Sequence, residues 1–328
     1  MTGYLATAGE VLAVTAAPGQ VLRLIEEAAG EPMADAAPAA PTVVLDVQGD
    51  GGPFDRAGFR PLTRGAYARD GQVLLLDACS SGFDLRVTAD RAGGVLAVQA
   101  RYRPAPRTRA ANLALPARFR LLAGQTLVHY PVLWRSGWRG RVPLHAGVLA
   151  TAGAVPLLAG PGGVGKSTVL RRAVAAGAVA TADNMCSADP MTCYGLAEPL
   201  RLDRRGSGRA GGTSHGRRGQ AFGRRAAALS PDRVVVLERG PGTEVTAIGP
   251  EEAATALVAG TYAAGELRRY WSFAATLALG LGVGPAHPPV GEIALGYARR
   301  LPCLRVRIGD GDTVGLDRLC AAPARAAS

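Results

Sequence analysis

Val155-Pro156-Leu157-Leu158-Ala159-Gly160-Pro161-Gly162-Gly163-Val164-Gly165-Lys166-Ser167-Thr168-Val169-Leu170 leads an apolar run into a glycine-rich loop, and the loop into a segment of helical periodicity. The run, at about residues 154–159, has the length and apolarity of a buried strand. Past the loop, Val169, Leu170, Ala173 and Val174 recur at helical spacing over about residues 168–176, and Gly177 is placed to end the helix. Gly160 to Ser167 fits GxxxxGK[ST], and a strand before it with a helix after it is the context that gives this pattern a mechanism. Glycines let successive backbone N–H groups turn onto phosphate oxygens, and the helix start near Ser167 adds its positive dipole end. Gly160, Pro161, Gly162, Gly163, Val164, Gly165, Lys166, Ser167 and Thr168 are therefore expected to cradle ATP. Lys166 should reach the β- and γ-phosphates, and the Ser167 hydroxyl should ligate Mg²⁺.

Lys166 is the only lysine in the chain; every other basic residue among the 37 is arginine. Abundant alanine and glycine accompany this drift toward arginine. A lysine that remains where every other position has drifted marks a site that needs a compact ammonium rather than a planar fork.

The 328 residues, 48% of them apolar, can bury a sizeable core as one large or two ordinary domains, and a soluble globular protein is expected. The first basic residue is Arg23, so no charged stretch precedes an apolar run and no secretory signal is expected. The longest apolar stretch, about residues 272–286, is broken by Gly280, Gly282, Gly284 and Pro285, short of the roughly 20 residues that span a bilayer. No membrane partner is expected. Cys79, Cys186, Cys193, Cys303 and Cys320 form no CxxC pair, and five scattered thiols fit a reduced cytoplasm better than a disulfide framework or a zinc site.

From residue 1 to 126, short strand-like runs such as Thr42-Val43-Val44-Leu45-Asp46-Val47, Val73-Leu74-Leu75-Leu76-Asp77 and Gly94-Val95-Leu96-Ala97-Val98 alternate with Gly, Pro and Asp clusters. Residues 36–41 read as a connector. These features predict a smaller β-rich amino-terminal domain, with Arg101, Arg103, Arg107 and Arg109 on a solvated edge or a contact surface. In the second region, residues 127–328, the runs 146–151 and 154–159 flank Ala152-Gly153, a two-residue hairpin turn. A short strand at 178–182, an apolar strand at 233–237, helices at 251–264 and 266–279 and a strand at 303–308 complete the expected elements.

Counting places two further residues beside the glycine loop. With Ala152-Gly153 as the turn, His145 lies opposite Gly160, about 5 Å away between Cα atoms. Asp183 ends the strand that follows the loop's helix, and a strand–helix–strand crossover returns that end to the edge where ligands bind. An acid there can hold Mg²⁺ or take a proton from an attacking hydroxyl. The structural alternatives are a hydrogen-bonded histidine at a strand start and an aspartate that forms a turn.

Leu144-His145-Ala146-Gly147-Val148, the glycine loop and Ala182-Asp183-Asn184, in that order, resemble the HPr kinase/phosphorylase group and its relatives that modify peptides. The same order is similar to the phosphoenolpyruvate carboxykinases, which share that group's nucleotide-binding core. The resemblance covers about residues 128–308. It implies an α/β fold, with a P-loop kinase domain of the HPr kinase and carboxykinase type over residues 127–328, that phosphorylates a serine or another hydroxyl. The implied acceptor is a peptide, a protein or a small metabolite. Those relatives place two acids in succession where this chain has Asp183 and Asn184. Asparagine offers a neutral oxygen to a metal but cannot be a general base, so the base role falls on Asp183 and the reverse phosphorylase reaction is in doubt. The resembling kinases assemble as homo-oligomers, which leaves that state open for this chain.

Residues 201–225 hold eight arginines against one acid, Asp203, a net of +7 within the chain's +11, with seven glycines and no apolar periodicity. The composition reads as a loop, open to service as a lid, a cradle for an acidic peptide, a nucleic-acid contact or a solvated insertion. At its leading edge, Glu198 and Arg201 match weakly a glutamate and an arginine near the substrate site in the resembling family. The leading expectation is an ATP-dependent kinase with Lys166, Asp183 and His145 as its working residues, and Ser167 and Asp183 as metal ligands. The alternatives are an ATP-binding accessory protein without transfer activity and, on net charge alone, a nucleic-acid-dependent ATPase. Glu238, after Val234-Val235-Val236-Leu237, is the best acid for that last reading.

Overall fold

Apolar alternation in the amino-terminal third builds one large sheet. A computed structural model of the chain describes residues 2–16, 20–49, 52–90, 92, 94–202, 218–220, 225–309, 315 and 319. In spatial order the first sheet runs Thr2–Thr7, Glu10–Ala16, Val43–Gln48, Val95–Tyr102, Phe83–Asp90, Gln72–Leu75, Ala66–Arg69, Arg60–Thr63. Val43–Gln48 lies parallel to both of its neighbours and the other pairs are antiparallel, so the sheet is mixed. In Val43–Gln48, Val43, Leu45 and Val47 are buried while the residues between them are half-buried, the period of two that a half-covered strand shows.

The expected strands of this region are present, but helices also occur that the sequence reading did not anticipate. Gln20–Ala29 connects Glu10–Ala16 to Val43–Gln48, and Pro106–Ala114, Pro116–Gly124 and Tyr130–Gly137 follow the last strand. Pro106, Pro116 and Pro131 look like breakers in sequence. Pro106 and Pro116 each stand in the first turn of a helix, where the missing N–H costs nothing, and Pro131 stands just after a π-helical turn. A π-helical turn, Gln125–His129, joins the last two helices, so the division expected at residues 126 and 127 falls inside a continuous helical run. Tyr130 and Trp134 from that run, and Tyr270 and Phe273 from the helix Tyr270–Leu281, share one buried core with Leu45, Leu85 and Val98 of the first sheet.

The second sheet runs Val179–Ala182, Gly147–Ala150, Pro156–Ala159, Arg233–Gly240, Cys303–Gly309, Glu244–Ala247. Pro156–Ala159, Arg233–Gly240 and Cys303–Gly309 are parallel, and Gly147–Ala150 and Glu244–Ala247 run against them. Arg233–Gly240 is apolar on both sides because both sides are covered. Val234 and Val236 pack with Ala253, Leu257 and Tyr297 of the helices Pro250–Ala263 and Val290–Arg300, whereas Val235 and Leu237 pack with Val169 and Leu170 of the helix Lys166–Ala175. A four-stranded antiparallel sheet, Ala228–Leu229, Cys193–Gly195, Cys186–Ala188, Val142–Leu144, abuts the first of these cores. The whole is a mixed α/β fold with several sheets.

The hairpin register is the expected one. Gly147 faces Leu158, Val148 faces Leu157, and the Thr151 N–H donates to the Ala154 carbonyl at 2.9 Å around Ala152-Gly153. Of the arginine-rich segment, residues 203–217 and 221–224 lie outside the described residues, as does Cys320; its flanks Leu200–Leu202 and Arg218–Gln220 pair antiparallel. Among the described residues no helix is long and apolar enough to cross a membrane.

Candidate functional site

The glycine loop leaves the buried end of Pro156–Ala159 in a conformation that side chains disfavour. Gly160 has φ 137°, and a Cβ built on it would stand 2.6 Å from the Leu237 carbonyl of the neighbouring strand, so a larger residue meets both backbone strain and backbone atoms. Gly165, with φ 115°, caps the helix Lys166–Ala175, whose first-turn N–H groups have no partner within the helix. At the far end Gly177 closes the helix as expected: its N–H donates to the Val174 carbonyl at 3.0 Å and that of Ala178 to the Ala173 carbonyl at 2.9 Å. The helix begins two residues earlier than the periodicity indicated, because Lys166 and Ser167 already belong to its first turn.

The loop and helix start border a cavity of about 430 Å³. His145, Lys166, Ser167, Thr168, Asn184 and Arg239 line it, and Gly260 and the turn at residues 263–266 form its rim. Lys166 is 5% exposed, and its Nζ donates to the Gly160 carbonyl at 2.6 Å and the Pro161 carbonyl at 3.2 Å, so the ammonium sits within the curve of the loop. The rim turn is anchored from the first core. The Tyr130 hydroxyl donates to the Glu266 carbonyl at 2.7 Å, and Gln125 Nε2 donates to the same oxygen at 3.2 Å.

His145 stands beside the loop, as the register requires. Its backbone N–H donates to Thr261 Oγ1 at 3.1 Å, and a Cβ built on Gly260, one residue earlier on the helix Pro250–Ala263, would stand 3.4 Å from the Gly160 carbonyl oxygen and 4.0 Å from His145 Nδ1. The ring Nε2 donates to Asn184 Oδ1 at 2.8 Å. This bond fixes the imidazole on the cavity wall and leaves Asn184 Nδ2, on a side chain only 6% exposed, with no hydrogen-bond partner among the described residues. A buried donor without an acceptor is costly, and a ligand rich in oxygens would relieve it.

Val179–Ala182 runs in the same direction as Pro156–Ala159, so its end reaches the loop's edge of the sheet as expected. The two residues that follow part ways there. Asn184 lines the cavity, whereas Asp183 is 0% exposed and does not. Of the two residues expected to hold Mg²⁺, Ser167 is therefore at the wall and Asp183 lies behind it. The turn is set by Glu198, 4% exposed, whose Oε1 accepts the N–H groups of Asn184 at 3.0 Å and Met185 at 2.9 Å. Arg201 contributes its backbone to the strand Leu200–Leu202, paired to Gly219.

Two groups at the cavity escaped the sequence reading. Arg239 ends the central strand on the side of the loop's helix, a position that the alternation of Val235 and Leu237 could have indicated. Glu266 lies on the rim turn, which no motif marks. Glu238, the acid considered for an ATPase, does not line the cavity and instead pairs with Arg305 Nε at 3.4 Å. Cys186 and Cys193 are buried on adjacent strands, and a hydrogen bond with Cys193, together with burial, pushes the Cys186 thiol well above its ordinary value. Such thiols pack as small apolar groups. No group of three His, Cys, Asp or Glu side chains among the described residues is arranged to hold a metal ion.

No protein-family model matches the chain, and no curated protein matches it significantly.

Proposed function

We propose that this chain is an ATP-dependent kinase, a P-loop domain of the HPr kinase and carboxykinase type that transfers the γ-phosphoryl group of Mg·ATP to a hydroxyl. The acceptor is a serine of a peptide or protein, or a small metabolite. One observation carries this reading: the only lysine of the chain is folded into a glycine loop at the positive end of a helix, on the wall of a cavity. In the reaction an acceptor oxygen attacks the γ-phosphorus, the bond from that phosphorus to the β–γ bridging oxygen breaks and ADP departs; the acceptor's proton is assigned to Asp183, whose carboxylate must turn out from behind the cavity wall to receive it. Lys166 exchanges the two loop carbonyls for phosphate oxygens. Ser167 offers its hydroxyl to the magnesium ion that accompanies the nucleotide. His145, held by Thr261 and Asn184, positions the acceptor.

A second reading, an ATP-binding accessory protein without transfer activity, is favoured by one specific observation. An asparagine stands at the wall, and the acid that precedes it, Asp183, is sealed. The two readings separate in an assay of labelled γ-phosphate incorporation into an acceptor mixture, with ATP affinity measured in parallel. General-base assistance is worth about 10²–10⁴-fold, so Asp183→Asn should cut transfer by at least about a hundredfold while the loop still holds the nucleotide. Transfer that survives Asp183→Asn overturns the proposed mechanism. Transfer gained only on Asn184→Asp identifies the natural protein as the accessory.

A further inference from the structure

Resting on the nucleotide reading above, we infer that Arg239 is a phosphate-binding residue supplied by the chain itself, whose guanidinium holds the β-phosphate and bridging oxygen of the bound nucleotide. Neither the glycine-loop motif nor the resemblance assigns a residue at this position. Arg239 stands at the carboxyl end of the strand Arg233–Gly240, beside the loop-bearing strand, where open α/β sheets take their ligands. It lines the same cavity as Lys166 and Ser167. Its Nη2 lies 3.3 Å from where a Cβ on Gly165 would stand, directly over the residue that caps the loop's helix. A guanidinium and the positive end of a helix thus face each other, an arrangement that is repulsive unless an anion lies between them.

The neighbouring arginines sharpen the contrast. On the two central strands Arg233 pairs with Asp232 at 2.9 Å, Arg305 with Glu238 at 3.4 Å and Arg307 with Glu244 at 2.9 Å. Arg239, the one of the four that lines the cavity, makes no ion pair or hydrogen bond among the described residues. Asn184 Nδ2 supplies a second, nine-tenths buried donor on the same wall, again with no acceptor. Donors from Lys166, Arg239, Asn184 and the first helical turn therefore converge on one volume, a composition that suits a ligand with several anionic oxygens. Because Arg239 Nη2 lies close to Gly165, within the loop, its contact is assigned to the inner phosphates that the loop wraps. This is where charge accumulates on the leaving diphosphate during transfer.

The experiment is equilibrium binding of ADP and of AMP, each with Mg²⁺, to the full chain as wild type, Arg239→Ala and Arg239→Lys, with thermal melting as a control for folding. Wild type should bind ADP much more tightly than AMP. Arg239→Ala should weaken ADP binding at least tenfold and leave AMP binding within about twofold, and Arg239→Lys should fall between, since it keeps the charge and loses the fork. The side chain is exposed and makes no pair among the described residues, so the melting temperature should stay unchanged. Wild-type binding of ADP with equal affinity in Arg239→Ala overturns the inference and leaves the nucleotide reading intact. Wild type that binds neither nucleotide removes that reading and the inference with it.

Discussion

Glu198→Ala takes away the one oxygen that two buried backbone donors share. The N–H groups of Asn184 and Met185 reach Glu198 Oε1 at 3.0 and 2.9 Å, and the side chain is 4% exposed, so water has little room to replace it. Hydrogen bonds to charged groups contribute about 1.5–3 kcal/mol each, and the two together lie near 3–6 kcal/mol before the carboxylate's own desolvation is returned, leaving a net loss of about 2–4 kcal/mol. Glu198→Gln keeps an amide oxygen for the same donors, and neutral bonds have roughly half the strength, so its cost is about 1–2 kcal/mol. At about 2–4 °C per kcal/mol for domains of 150–250 residues, Glu198→Ala should melt roughly 5–15 °C lower and Glu198→Gln about half as far. The functional consequence is selective. The turn that presents Asp183 and Asn184 loosens while the glycine loop is untouched, so phosphate transfer should fall severalfold or more in Glu198→Ala with ATP affinity nearly kept. Thermal melting with parallel transfer and binding assays reads all of this. A melting temperature unmoved by Glu198→Ala, or a glutamine variant as damaged as the alanine one, would refute the reasoning.

Two further outcomes follow from the loop. Gly160→Ala should cost about 2–4 kcal/mol, since its backbone is left-handed and its new Cβ meets the Leu237 carbonyl; Gly162→Ala, with nothing within 4 Å of its Cβ, should melt like wild type, and equal melting of both variants contradicts the geometry. Lys166→Arg should lose most of its turnover although it keeps the charge, because a planar fork cannot occupy the space within the loop where Nζ meets two carbonyls; turnover equal to wild type would defeat the argument from the solitary lysine.

What the sequence made legible is what local geometry determines. A two-residue turn at Ala152-Gly153 fixes the register of its hairpin, and that register alone places His145 beside Gly160. The glycine loop, the helix it caps and the Gly177 stop are similarly local, and Asp183 reaches the ligand edge because a strand–helix–strand crossover returns the second strand in the direction of the first. Orientation beyond the strand end was not legible. Asp183 and Asn184 are adjacent, and the inward turn of one and the outward turn of the other depend on Glu198, fourteen residues away, whose two backbone contacts have no sequence signature. The helices between Pro106 and Gly137 were hidden by their prolines and by weak periodicity in the first two, which leave Leu113 exposed, as is Leu115 in the break between them. Their role became visible only where Tyr130 and Trp134 meet the first sheet and the helix Tyr270–Leu281 in one core. Arg239 could have been found by carrying the alternation of the central strand two residues past Leu237.

The central claim is that the cavity beside Lys166 holds the phosphates of a nucleoside triphosphate. Calorimetric titration of Mg·ATP into wild type and into Lys166→Ala tests it most directly. The account predicts saturable one-to-one binding by wild type and at least a tenfold loss in the variant, about 1.4 kcal/mol or more, with the fold intact by thermal melting. No binding by the wild-type chain, or binding of equal strength by both proteins, would contradict it.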